Sequence, residues 1–251
     1  MAEGEEGEKA ARESVGGSHG ITLPAKESGA DAGGLTITLA RMDLWSQIAE
    51  RRRDLADFLS TLSDADWETP SLCAGWRVHD VVAHLTVPFH TTMPKVMLTA
   101  VRARGINPAL DRLSRARAAA VPPAELVADL RANAEHHFAP PGLGAVAPLT
   151  DVYVHTGDIR RPLGRRGAMP QETTREVLAF LSGGKTRGFV KKGRLDGLAF
   201  VATDVDWKSE SGGAEIRGPG DALAMAIAGR GAVLDELEGD GVAMLRDRLA
   251  R

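Results

Sequence analysis

The sequence predicts a mainly α-helical protein that closes with a small α+β domain. Three observations predict it. Aromatic residues make up only 4% of the chain, and strands draw on aromatic and β-branched side chains where Ala and Leu, abundant here, favour helices. Apolar residues recur at helical spacing between about 43 and 181, as in Val78, Val81, Val82 and Leu85. From about residue 195 the pattern changes: Leu198, Phe200 and Ala202 alternate as in a strand, and AEIRG at 214–218 offers a partner across a Gly-rich turn.

The 251 residues, 43% of them apolar, suffice for more than one core. A formal charge of −3 leaves no basic footprint for nucleic acid. Arg51, Arg52 and Arg53 are consecutive, so on a helix they fan around the circumference and read as a solvated face. Cys73 is the sole cysteine, which rules out an internal disulfide or a CxxC motif and fits a cytoplasmic setting. No run approaches the ~18 apolar residues of a membrane span, and the acidic N-terminus lacks a signal peptide's apolar core, so a soluble protein is expected. The glycines at 183–188 and 229–231 lack phosphate-loop spacing, and nucleotide chemistry is not expected.

Residues 1–37, rich in Gly, Glu, Ser and Ala without periodicity, read as a disordered tail. A first helix is predicted from Asp43 to about Leu62 on Leu44, Ile48, Leu55, Phe58 and Leu59. A turn around Trp67, Pro70 and Ser71 leads through Trp76 into the helix carrying His84, which Pro88 and Pro94 should kink or interrupt. It resumes to about Arg104. Residues 105–121 read as a connection with some helical content, and Pro122 and Pro123 start a helix to about Phe138. After the loop APPGLGAV at 139–146 come the helix of DVYVH and one from Glu172 to Leu181. Beyond the strands, Asp221 is the expected N-cap of a helix through Ile227, Gly229 its terminator, and Val242, Leu245 and Leu249 mark a last helix.

The candidate chemistry lies in three residues. Asp151 and His155 are four apart and share a helix face, and His84 flanks the apolar stripe of another helix. Facing helices build metal sites in this way. Two imidazoles and one carboxylate leave a fourth position open, as in catalytic zinc sites. On spacing alone, an Asp and His at i, i+4 is more commonly a surface pair or a buried histidine. His79 is read as exposed, and His136 and His137 as partners of a helix C-terminus. His90 stays unassigned, and Tyr153 is read as packing.

Trp67, Pro70, Ser71, Cys73, Gly75, Trp76, Asp80, Val81, His84 and Leu85, followed by His155, Asp158, Arg161, Leu163 and Gly164, resemble signatures of the mycothiol-dependent maleylpyruvate isomerases and their relatives. Thr203 with Asp204, Trp207, Gly218 with Pro219, Gly229 with Arg230, and GDG at 239–241 resemble that family's closing segment. The resemblance implies a DinB-like four-helix bundle over 38–188 and a sterol-carrier-like α/β domain over 189–251. It also implies one divalent metal on His84, Asp151 and His155, usually zinc, though the donor set suits nickel or iron(II) as well. Two positions depart from the family: Asp151 stands where glutamate is usual, and Arg77 where a Ser or Thr helix cap is common.

The implied cosubstrate is mycothiol, whose thiolate is the nucleophile. In the resembled isomerase the thiol adds to the cis double bond of maleylpyruvate, the new single bond rotates, and elimination gives fumarylpyruvate; S-transfer to another small electrophile is the related outcome. A dianionic substrate calls for arginines, and Arg230 and Arg217 are the candidates to close over the site from the small domain. Cys73 then reads as a small packing group. Asp158 reads as a structural partner of Arg161 or as an orienter of His155. The expected partners are a low-molecular-weight thiol and a small electrophile, in a monomer or homodimer. The alternatives are a metal-dependent hydrolase, or a non-catalytic metal- or lipid-binding protein with a cavity near Leu198 and Ile227.

Overall fold

A computed structural model describes residues 42–250 except 185 and 187. The expected tail over 1–37 lies outside the described residues. Asp43 opens the first helix, α1 (Leu44–Leu59), by accepting the N–H groups of Trp45 and Ser46 at 2.9 and 3.1 Å. A single turn, α2 (Asp64–Glu68), follows, closed by reciprocal bonds between Ser63 and Asp66.

The next helix, α3 (Val78–His90), buries Val78, Val81, Val82 and Leu85, the predicted stripe. Arg77 supplies no capping oxygen, but Asp80 accepts the Arg77 N–H at 2.9 Å and holds its guanidinium. Half of a capping box therefore survives the missing hydroxyl. Pro88 does not interrupt the helix, which runs on to His90. Its missing N–H leaves the carbonyl of His84, one turn back, without a helical donor.

Pro94 stands near the start of α4 (Met93–Ala103), and Arg104 and Gly105 turn the chain directly into α5 (Ile106–Ala120). The stretch read as a connection is thus a full helix. It buries only Ala109, Ser114 and Ala118, small residues that leave almost no apolar period. Next come α6 (Pro123–Ala132), which ends short of the predicted Phe138, then α7 (Val146–Arg160) and α8 (Gln171–Ser182).

Four helices form the bundle: α1 packs on α6 and α7, and α3 packs on the same two. On the outer side of α3 lies α5, covered in turn by α4. Burial surrounds α7 on nearly every face. Its Val152 and Ile159 join a cluster with Leu55, Leu59, Trp67, Val81, Leu126 and Leu130. Leu149 and Tyr153 join a second cluster with Ile48, Val177, Leu178 and Leu181. Each such side chain contributes on the order of 1.5–3 kcal/mol by leaving water.

That second cluster continues into the C-terminal part through Leu198, Phe200, Ile216, Leu223 and Ile227. There β1 (Leu198–Ala202) and β2 (Ala214–Gly218) pair in parallel, from Leu198 opposite Ala214 to Ala202 opposite Gly218. The pairing is not a hairpin, because residues 207–209 first fold back along β1. Ala202 donates to the Trp207 carbonyl at 3.0 Å, and Ser209 to that of Phe200 at 2.8 Å. The chain then crosses to the other edge of β1, entering β2 through Gly213 at φ 142°, where a Cβ would strike the Gly197 carbonyl. Pro219, not Asp221, is the N-cap of α9 (Gly220–Ile227), whose first N–H is taken by the Asp204 carboxylate at 2.7 Å. Gly229, at φ 104°, ends it, a 3-10 turn runs from Gly231 to Glu236, and α10 (Gly241–Leu249) closes the chain. Among the described residues no helix is long and apolar enough to cross a membrane.

Candidate metal centre

His84 on α3 and Asp151 and His155 on α7 converge, with one donor atom from each within 4.8 Å of the others. The closest pairings run from Asp151 Oδ1 to His155 Nε2 at 3.5 Å and to His84 Nε2 at 3.6 Å. A tetrahedral zinc ion with bonds of ~2.0–2.2 Å holds its ligand atoms roughly 3.3–3.6 Å apart. The three donors therefore fit a divalent cation without moving far. The Asp151 side chain is 30% exposed, which leaves the cluster open on one side.

Both imidazoles are oriented from behind. Ser114 on α5 donates its hydroxyl proton to the Leu110 carbonyl at 2.7 Å, so its oxygen accepts from His84 Nδ1 at 3.1 Å. His155 Nδ1 meets Asp158 Oδ2 at 2.9 Å, and a carboxylate there accepts its proton. Each ring thus carries its proton on Nδ1 and turns the lone pair of Nε2 towards Asp151. Trp76, which donates to Asp111 at 2.7 Å, walls the cluster, its ring centroid 5.2 Å from that of His84 and 6.3 Å from that of His155.

Burial pushes the Asp151 carboxyl up, but the electrostatic influence of the neighbouring His84, then of His155 and Arg52, outweighs that and holds it at about 2. Asp151 is a carboxylate at neutral pH, as a ligand has to be. Arg52 contradicts its reading as part of a solvated face. It is 6% exposed, donates to the carbonyls of Asn133, Ala134 and His136, and lies 5.1 Å from the Phe89 ring centre. Its neighbours do stay with surface acids, Arg51 with Glu50 and Asp54, and Arg53 with Glu135.

The two candidate arginines part company. Arg230 reaches Asp158 with Nε on Oδ1 at 2.9 Å and Nη2 on Oδ2 at 2.6 Å, one residue behind the cluster. Arg217 sits half exposed on β2 and bonds Glu215 at 3.2 Å, and its backbone pairs with Glu238. Arg161, expected beside Asp158, instead holds Asp221 and Glu236. Asp158 therefore orients His155.

The remaining histidines take structural places. His79 is buried rather than exposed, with Nε2 3.0 Å from the Val121 carbonyl. Because α6 ends at Ala132, His136 and His137 fall in the following loop; His137 stacks on Trp45 at 4.3 Å and His136 meets Phe89 edge-on. His90 pairs with Asp129 at 2.7 Å. Tyr153 is packed, its hydroxyl 3.1 Å from Thr174. Cys73 is partly buried against the bundle cluster, and burial pushes its thiol up to about 11. Leu198 and Ile227, near which a carrier's cavity was expected, are fully buried in the second cluster.

Residues 48–141 match the family model described as the mycothiol maleylpyruvate isomerase N-terminal domain. That span contains His84, while Asp151 and His155 lie just beyond it. Among solved structures, the chain is similar to the crystal structure of the mycothiol-dependent maleylpyruvate isomerase, with 14% identity and a TM-score of 0.52 over 79% of this chain and 93% of that one. A histidine-to-alanine mutant of the mycothiol-dependent maleylpyruvate isomerase aligns over the same shares at 16% identity and a TM-score of 0.45. At 14% identity the first of these likenesses is one of fold. No curated protein matches the chain.

Proposed function

We propose, from the premise that residues 48–141 belong to the mycothiol maleylpyruvate isomerase N-terminal domain family, that the chain is a metal-dependent enzyme taking mycothiol as its thiol cosubstrate. Its reaction is cis–trans isomerisation of a small unsaturated acid of the maleylpyruvate kind, or transfer of the thiol to a related electrophile. The observation that carries this reading is the convergence of His84, Asp151 and His155 with both Nδ1 protons already committed to Ser114 and Asp158.

His84, Asp151 and His155 would hold the cation, with zinc the first candidate for two imidazoles and a carboxylate. A bound divalent cation supplies a positive centre that favours the thiolate form of a coordinating thiol at neutral pH. The chain's own residues do the rest. Trp76 closes one wall with an aromatic face, Ser114 and Asp158 fix the rings, and Asp151 lies on the side open to solvent. Burial pushes the Cys73 thiol up to about 11, which supports a nucleophile supplied by the added thiol and not by the chain. The cytoplasm, where a low-molecular-weight thiol is kept reduced, is the compartment proposed for this activity.

The test is metal content per chain by mass spectrometry, for the natural protein beside His84→Ala and His155→Ala, followed by thiol-conjugation assays with and without chelator. We expect near one equivalent of metal, lost in both variants, and turnover that needs both metal and added mycothiol. Absence of bound metal even after zinc is added would overturn the reading. Turnover that needs metal but no thiol would replace it with hydrolysis.

A further inference from the structure

We propose that Asp158 and Arg230 form one positioning unit for His155, so that the C-terminal part of the chain sets the aim and basicity of a ligand on α7. The inference rests on the metal-site reading above.

The Asp158 side chain is 0% exposed. Its carboxylate accepts the Nδ1 proton of His155, Nε–H of Arg230 and Nη2–H of Arg230 at 2.9, 2.9 and 2.6 Å. A carboxylate at such depth is costly unless a counter-charge is fixed beside it. Arg230 provides that charge in the two-pronged geometry that matches a guanidinium to a carboxylate.

Arg230 is itself immobilised. It follows Gly229 at the end of α9, its backbone N–H reaches the Met225 carbonyl at 2.9 Å, and its Nη1 reaches the Ala228 carbonyl at 2.8 Å. Nε and both terminal nitrogens are thus engaged, and the charge faces a carboxylate already. A guanidinium so committed is poorly placed to bind a substrate anion, which is the role the sequence suggests for it. Its effect on chemistry passes through Asp158 to His155, because a ring N–H held by a carboxylate keeps the opposite nitrogen unprotonated, oriented and more basic towards a metal.

Arg161 supplies an internal control. It too ties α7 to the C-terminal part, through Asp221 and Glu236, but neither of these is a candidate ligand. A purely structural clamp and a positioning clamp therefore stand side by side on one helix.

The experiment measures cobalt(II) affinity of the full chain by chelator competition, with the cobalt absorption spectrum and the melting temperature alongside. The proteins are the natural chain, Asp158→Asn, Arg230→Met, the double variant Asp158→Asn with Arg230→Met, and Arg161→Met. Asp158→Asn should bind cobalt about 10–100-fold more weakly, with a shifted spectrum. Arg230→Met should lose melting temperature by stranding a buried carboxylate, and the double variant should regain that temperature but not the affinity. Arg161→Met should melt earlier and keep both affinity and spectrum. Tight binding by the natural chain with unchanged affinity in a folded Asp158→Asn, or in the double variant, overturns the inference alone. An equal loss of affinity in Arg161→Met does the same, since it makes the effect one of general stability. A natural chain that binds no cobalt overturns the metal reading and this inference with it.

Discussion

Ser114 receives the Nδ1 proton of His84 at 3.1 Å while its own proton goes to the Leu110 carbonyl at 2.7 Å, a one-way arrangement that settles which nitrogen of His84 faces Asp151. The hydroxyl is fully buried, so no water can replace it without rearrangement. In Ser114→Ala the Nδ1 proton loses its acceptor and the ring its reference direction. Metal affinity should fall roughly 10-fold and stability by about 1 kcal/mol, read by chelator competition and urea unfolding.

Arg52 ties together the loop after α6. Replacing it by Met keeps most of the apolar stem but deletes the guanidinium over Phe89 and the donors to the Asn133, Ala134 and His136 carbonyls. Stranding acceptors in a buried place costs about 1–3 kcal/mol each where water cannot reach them. A loss of about 3 kcal/mol in urea unfolding is expected, with metal content preserved at saturating zinc.

Asp80 gives stability an acid limb. Burial works to raise its carboxyl, but the bonds from the Arg77 guanidinium and backbone prevail and hold it below its ordinary 3.8. A carboxyl depressed by folding stabilises the fold above its unfolded value and ceases to do so as pH falls through its folded value. Asp80→Asn should therefore lower the melting temperature at pH 6 to 7, and the gap to the natural chain should close as pH falls below about 3.8. Equal gaps at both ends of that range would show that the bond acts without its charge.

Cys73 should be inert. Burial first, then the nearby charges of Asp158 and Asp151, push its thiol up to about 11 against the opposing pull of Arg230. Alkylation by iodoacetamide at pH 7.5 should be far slower than for a free cysteine, and Cys73→Ala should keep mycothiol-dependent turnover. Loss of turnover in a folded Cys73→Ala would assign the nucleophile to the chain itself.

What the sequence makes legible, and what it does not, follows from range. The helix of His84 is visible because Val78, Val81, Val82 and Leu85 are large, apolar and correctly spaced, and Asp151 and His155 share a face by arithmetic alone. Their meeting with His84 is not arithmetic; the family resemblance supplies it. Helix α5 stays hidden because it docks on Ala109, Ser114 and Ala118, whose small side chains carry little hydropathy. Ser114 goes unseen with it, although a lone Ser at the buried positions of an Arg- and Ala-rich stretch is a usable signal. Arg52 misleads for another reason: its partners lie 81 to 84 positions along the chain, and no local pattern announces carbonyls left over at the end of another helix. The parallel pairing of β1 and β2 is equally non-local, since a short Gly-rich link ordinarily signals a hairpin.

The face of α7 opposite its ligands has a thermodynamic meaning. Leu149 and Tyr153 are buried in the same cluster as Leu198, Phe200, Ile216 and Leu223, so residues beyond 198 cannot melt while α7 keeps its environment. Shared burial predicts cooperative unfolding across a point where the composition of the chain changes abruptly. Calorimetry should record one heat-absorption peak, with the van't Hoff enthalpy equal to the measured one. Any agent that loosens the sheet, even far from His155, then acts on the ligand helix through a shared melting event.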